Sequence, residues 1–201
     1  AVNTYLFKDY FANATALSLM GLVQMAATFI AFPLVKPLVA KFGKREVSIA
    51  GMILATVMYI ALFFLKGIAT MPFIILVGIA LFGTGFFGFV TWAFISDVID
   101  YHELQTSLRE DATVYSVISM SRKVGQAVAG GIGGVAISAV GYDAALGQQP
   151  QEVLDGIYML GTLVPGILYG IVAVVLFLYP LNKQKTIQLS QDLAAKRKVN
   201  S

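Results

Sequence analysis

Apolar residues fall in long unbroken blocks separated by short polar stretches. Blocks at 17–40, 47–65, 72–95, 113–140 and 156–180 each approach the ~20 residues a helix needs to cross a bilayer. None shows the recurring alternation of a half-buried strand. Lipid tolerates only backbones whose hydrogen bonds close within themselves, so the blocks predict helices. Residues 1–12 are aromatic and apolar but too few to span, and read as the end of a helix that starts earlier. The connectors 41–46, 66–71, 96–111 and 141–155 read as loops. The polar, basic stretch after Pro180 reads as a frayed helical tail.

The fifth block breaks the apolar rule near its middle, at Arg122 and Lys123. From Thr113 to Lys123 a helix rises roughly 15 Å, about half of a ~30 Å hydrocarbon core. A charge at that depth costs several kcal/mol unless it faces a cavity, a partner or water. The cation pair therefore points to a polar solute passage. Lys41, Lys44 and Arg45, then Arg109, then Lys183, Lys185, Lys196, Arg197 and Lys198 all fall on one side of the blocks, while the opposite connectors hold only Lys66. The positive-inside bias makes that basic side, with the C-terminus, cytoplasmic. Counting the stub, two sets of three helices follow each other in opposite orientation, as in the inverted repeats of transporters.

Composition narrows the classes. The chain of 201 residues is 58% hydrophobic and only 12% charged, about half the charge of a soluble domain. Its mean hydropathy is +0.79. With no cysteine and one histidine, His102, it has no disulfide framework and no Cys or His metal cluster. No nucleophile–base pair marks an enzyme. The net charge of +3 comes from span ends and tail, which is no nucleic-acid signature. Gly83-Thr-Gly85-Phe-Phe-Gly88 fits a dinucleotide pattern, but lies within a span rather than in a strand-to-helix turn. Asn13-Ala-Thr15 forms a glycosylation sequon on the outer side. Lys8 and Asp9 read as interface anchors.

Several stretches occur together and in order: KFGKRE after a helix with Pro33 and Pro37, ISDVIDYHELQTSLRED, ATVYSVISMSRKVGQAVAGG, GQQPQEVLDGIYMLGTLVPGI and YPLNKQKTIQLSQDL. This set closely resembles the glycoside–pentoside–hexuronide:cation symporters of the major facilitator superfamily, over nearly the whole chain, and matches their C-terminal six helices. The resemblance implies an all-α membrane protein. Residues 1–181 would form a six-helix bundle with its first helix truncated, and 182–201 a cytoplasmic tail. It implies a multi-pass protein of the cell (inner) membrane that moves a glycoside, pentoside or hexuronide with Na⁺ or H⁺. The partners are the sugar, membrane lipid and the N-terminal six-helix half. No cofactor is implied, and the coupling cation would sit mainly in that other half.

By the same resemblance, Lys123 stands where melibiose-type members carry a lysine near the sugar and ion sites, and Ser119 where they carry a hydroxyl. Ser119, Lys123 and Gln126 can share one polar stripe. Arg122 or Lys123 could face a hexuronide carboxylate. Thr91 matches a polar position. Trp92 is either a sugar-stacking platform or an interface anchor, because Gly88 stands where the melibiose type has its tryptophan. Asp97, Asp100, Glu103, Arg109, Lys44 and Arg45 would form a charge network that closes the cytoplasmic gate, although Lys41 replaces the usual acid of that signature. Against each of these stands a plainer role in packing, anchoring or solvation. Gly125, Ala129 and Gly133, with Gly130 and Gly134 beside them, predict close helix packing. An alternative solute is a lysolipid, with the cation pair gripping its phosphate.

Overall fold

The computed structural model describes residues 2–199. Every regular element among them is helical: α1 (Val2–Tyr5), running into a π-helical turn (Leu6–Tyr10), α2 (Ala16–Phe42), α3 (Lys44–Phe64), α4 (Thr70–Thr106), α5 (Asp111–Ala139), α6 (Gln151–Leu178) and α7 (Lys183–Val199). Four of them, α2, α3, α4 and α6, are long and apolar enough to cross a membrane. With 29 residues α5 is also long enough. Its serines, glycines and central cations keep it out of that apolar set.

The helix α3 forms the axis of the bundle, with α4 and α6 along its flanks and α2 against α4. Its fit to α4 depends on two glycines. A Cβ on Gly83 would stand 2.5 Å from the carbonyl oxygen of Gly51, and one on Gly51 would strike the carbonyl of Gly83. Only glycines allow this approach of two backbones. Gly83 opens the dinucleotide-like pattern, and its observed task is helix packing. Gly43 alone joins α2 to α3. Its φ of 106° lies in the region that side chains rarely adopt.

Call the end bearing Lys41, Lys44 and Arg109 the basic end. At the opposite end, aromatic rings from the first turns plug the bundle. Phe7 meets Phe73 edge-on, and Tyr10 stacks on Tyr158 at 4.6 Å between centroids. Fully buried Tyr158 donates its hydroxyl to the Leu62 carbonyl at 2.6 Å. Asn13 Oδ1 accepts from Thr15 Oγ1 and from the Ala16 amide, so the sequon residues cap the start of α2.

Four expectations need correction. The connector 41–46 is helical except at Gly43, and the stretch after Pro180 is not frayed but forms α7, with Leu189 and Leu193 buried. The connector 96–111 is not a loop: α4 continues to Thr106, and the chain turns only at 107–110, where Ser107 takes a left-handed conformation. Buried Ile95, Asp97 and Ile99 keep this extension on the bundle. The close packing expected of Gly125, Gly130 and Gly134 on α5 also has no counterpart within this bundle among the described residues. A Cβ at Gly125, Gly130, Gly131 or Gly134 would meet nothing within 4 Å. Ile137 is the buried residue of α5, and the helix otherwise stands off the bundle, touching α4.

Candidate solute pathway and charge network

The residues expected to touch solute lie on two helices. On α5, Ser119, Arg122, Lys123 and Gln126 are all exposed. On α4, Thr91 is half-buried and donates its hydroxyl to the Phe87 carbonyl at 2.7 Å, leaving its oxygen free to accept. Trp92 is 52% exposed and turns toward α5. Its ring lies 6.3 Å from that of Tyr115, and the Arg122 guanidinium sits over it at 5.7 Å. This cation–π contact gives Arg122 a partner inside the chain. Lys123, about 100° around the helix, has no hydrogen-bond or ion-pair partner among the described residues. Trp92 and Arg122 thus come together, Thr91 lies one position along α4 without a hydrogen bond to either side chain among the described residues, and Ser119, Lys123 and Gln126 form a separate exposed stripe.

The charged residues at the basic end divide into three groups. Lys44, at the start of α3, donates to Asp97 on α4 at 2.6 Å. Asp97 is buried and Lys44 half-buried, a geometry in which the carboxylate depends on the ammonium beside it. Arg45 points elsewhere. It donates to the Phe177 carbonyl at 2.8 Å and lies over the Phe177 ring, tying the last turn of α6 to α3. Asp100 and Glu103 meet Arg109, which reaches Asp100 at 3.1 Å, Glu103 at 2.8 Å and Asp111 at 2.9 Å. Hydrogen bonds donated to these three acids, Glu103 foremost, raise the guanidinium's pKa further above its ordinary value. Arg109 is a cation at any working pH.

Two roles were not read from the sequence. The tail helix α7 buries Leu189 and Leu193 and clasps the basic end of the bundle through both of its own termini. Lys183 donates to the carbonyls of Ala40 and Lys41 at the end of α2, and Lys196 to those of Glu103 and Leu104 at the end of α4. Helix C-termini leave carbonyls unpaired and carry partial negative charge, so lysines suit them. Arg197 adds a two-pronged contact to Glu103 at 2.9 and 2.7 Å. The second missed residue is Lys36. It sits within α2 between Pro33 and Pro37, and lines a cleft against α4 together with Lys44. A lysine inside an apolar block was the available signal; the long run around it hid it.

Comparison with known proteins agrees with this architecture. The family described as MFS/sugar transport protein matches residues 1–183. A proposed sulfoquinovose importer of Salmonella typhimurium is 33% identical over all of this chain and 42% of its own length. A glucuronide carrier protein homolog of Escherichia coli is 32% identical over 99% of this chain and 44% of its own. An isoprimeverose transporter of Lactiplantibacillus pentosus is 32% identical over 90% and 38%. The chain therefore spans less than half the length of these curated relatives. It belongs to the MFS/sugar transport protein family, a family of multi-pass membrane transporters that need no cofactor, not of enzymes.

Proposed function

We propose that this chain is the C-terminal half of a secondary sugar carrier in the cell membrane. Residues 1–181 form its six-helix half and 182–201 a cytoplasmic tail. The solute is a glycoside, pentoside or hexuronide, moved with Na⁺ or H⁺ between two bundles that rock in alternation. The observation that carries this reading is α5. It has the length of a span, glycines with no neighbour in this bundle among the described residues, and two exposed central cations, of which Arg122 lies over Trp92 and Lys123 has no hydrogen-bond or ion-pair partner among the described residues. Such a helix is costly in lipid by itself. Packed against a second bundle across a wet passage, it gains contacts along its glycines while Lys123 faces solute. The gate residues suit the same scheme. Asp97 with Lys44, and Asp100 and Glu103 with Arg109, sit at the basic end, where ion pairs that break and re-form bias the states of a carrier.

The test is counterflow of labelled glycosides into liposomes holding the full-length protein, with and without Na⁺, beside Lys123→Met. We expect sugar exchange in the parent and at least about a tenfold loss in the variant, the scale set by removing a charge-assisted hydrogen bond. Exchange of lysolipid instead of sugar, or full activity in Lys123→Met, overturns the reading.

A further inference from the structure

Between α2 and α4, near the basic end, lies a cleft of about 670 Å³. Its walls include Phe32, Pro33, Lys36, Lys44, Phe89 and Ala93. Three features of it point to a ligand. The first is charge. Two lysines line the cleft, and the one carboxylate paired with either is Asp97, bound to Lys44. Lys36 has no hydrogen-bond or ion-pair partner among the described residues, so the cleft carries an unbalanced positive charge. The second is an acceptor. Pro37 has no N–H to offer the carbonyl four residues back, and that carbonyl belongs to Pro33. The third is an apolar wall. The rings of Phe32 and Phe89 meet edge-to-face at 5.3 Å across the α2–α4 seam.

A cation, a carbonyl without its helical donor and an aromatic wall complement one kind of molecule: an anion that also carries hydroxyls and an apolar C–H face. Resting on the sugar-carrier reading above, we propose that this cleft is a solute subsite. In it Lys36 holds the carboxylate or sulfonate of an acidic sugar, with the ring against Phe32 and Phe89. The relatives' names leave the solute's charge open. A glucuronide carries a carboxylate and sulfoquinovose a sulfonate, while isoprimeverose has neither. Lys36 is thus a specificity-determining residue on α2, apart from Arg122, which already lies over Trp92.

The experiment uses the purified full-length protein and two ligands that differ in one group, methyl β-D-glucuronide and methyl β-D-glucoside, with sulfoquinovose as a second acid. Dissociation constants are measured by calorimetry for the parent, Lys36→Gln and Lys36→Arg. Lys36 is exposed, so neither substitution threatens folding. The parent should bind an acid roughly 10- to 100-fold more tightly than the glucoside, the range expected of a hydrogen bond to a charged group. Lys36→Gln should erase that gap and leave glucoside affinity within about twofold, while Lys36→Arg keeps most of it. A gap that survives Lys36→Gln overturns the assignment and leaves the sugar-carrier reading intact, as does a parent that prefers the glucoside. If phosphatidylglycerol in nanodiscs stabilises the parent but not Lys36→Gln, and the sugar gap is unchanged, the lysine serves a lipid headgroup and the assignment falls. Failure of all three sugars to bind removes the sugar reading and this subsite together.

Discussion

The α3–α4 crossing and the α5 helix use the same residue types to opposite effect. At the crossing, Gly51 and Gly83 bring two backbones into contact, and Lys44 and Asp97 neutralise each other at its basic end. On α5, Gly125, Gly130, Gly131 and Gly134 face open space, and Lys123 has no hydrogen-bond or ion-pair partner among the described residues. Glycines in a membrane helix state that something can come close; they do not state whether it lies within the same bundle. The contrast separates residues that hold this bundle together from residues that do not.

The sharpest way to break the comparison is to fill each glycine in the full-length protein. Gly83→Leu drives a side chain into the Gly51 backbone and should cost at least about 3 kcal/mol, with loss of folded protein in detergent melting assays. Gly130→Leu meets nothing within this bundle, so it should cost the full-length protein less stability than Gly83→Leu while impairing transport. Equal damage to folding from both would erase the distinction. A smaller effect comes from the paired charges. Lys44→Met strands a buried carboxylate, for roughly 2–4 kcal/mol of destabilisation, and adding Asp97→Asn should recover more than half of it. A double variant no better than the single one would show that the pair acts through packing alone. The smallest effect belongs to the exposed contact between helices. Arg122→Ala removes a cation–π interaction of about 0.5–1 kcal/mol and should shift melting barely, whatever it does to solute. A shift as large as that of Lys44→Met would place Arg122 among the bundle's structural charges.

Much of the fold was legible from block length alone. The apolar runs at 17–40, 47–65 and 156–180 became α2, α3 and α6 with modest extensions, because lipid leaves an apolar run few alternatives to a helix. The 96–111 connector was misread because its charges looked like solvent exposure. The apolar residues Ile95, Val98 and Ile99 recur at helical spacing and carry α4 on to Thr106, with Ile95 and Ile99 buried. The grouping of the basic-end charges lay beyond sequence reasoning. Lys44 and Arg45 are neighbours in the chain, yet one reaches α4 and the other α6, since adjacent helical residues diverge by about 100°. Nor could spacing foresee that Lys183 and Lys196 would cap two helices from the tail, because such contacts depend on where α7 lies.

The length of α4 has a mechanical consequence. At 37 residues it extends about 55 Å, well past a ~30 Å hydrocarbon core, as one unbroken rod with Gly83 near its pivot against α3. Glu103 rides roughly 30 Å beyond that fulcrum. A tilt of about 10° at the crossing sweeps its carboxylate by about 5 Å, far more than the 2.7 Å that joins it to Arg197.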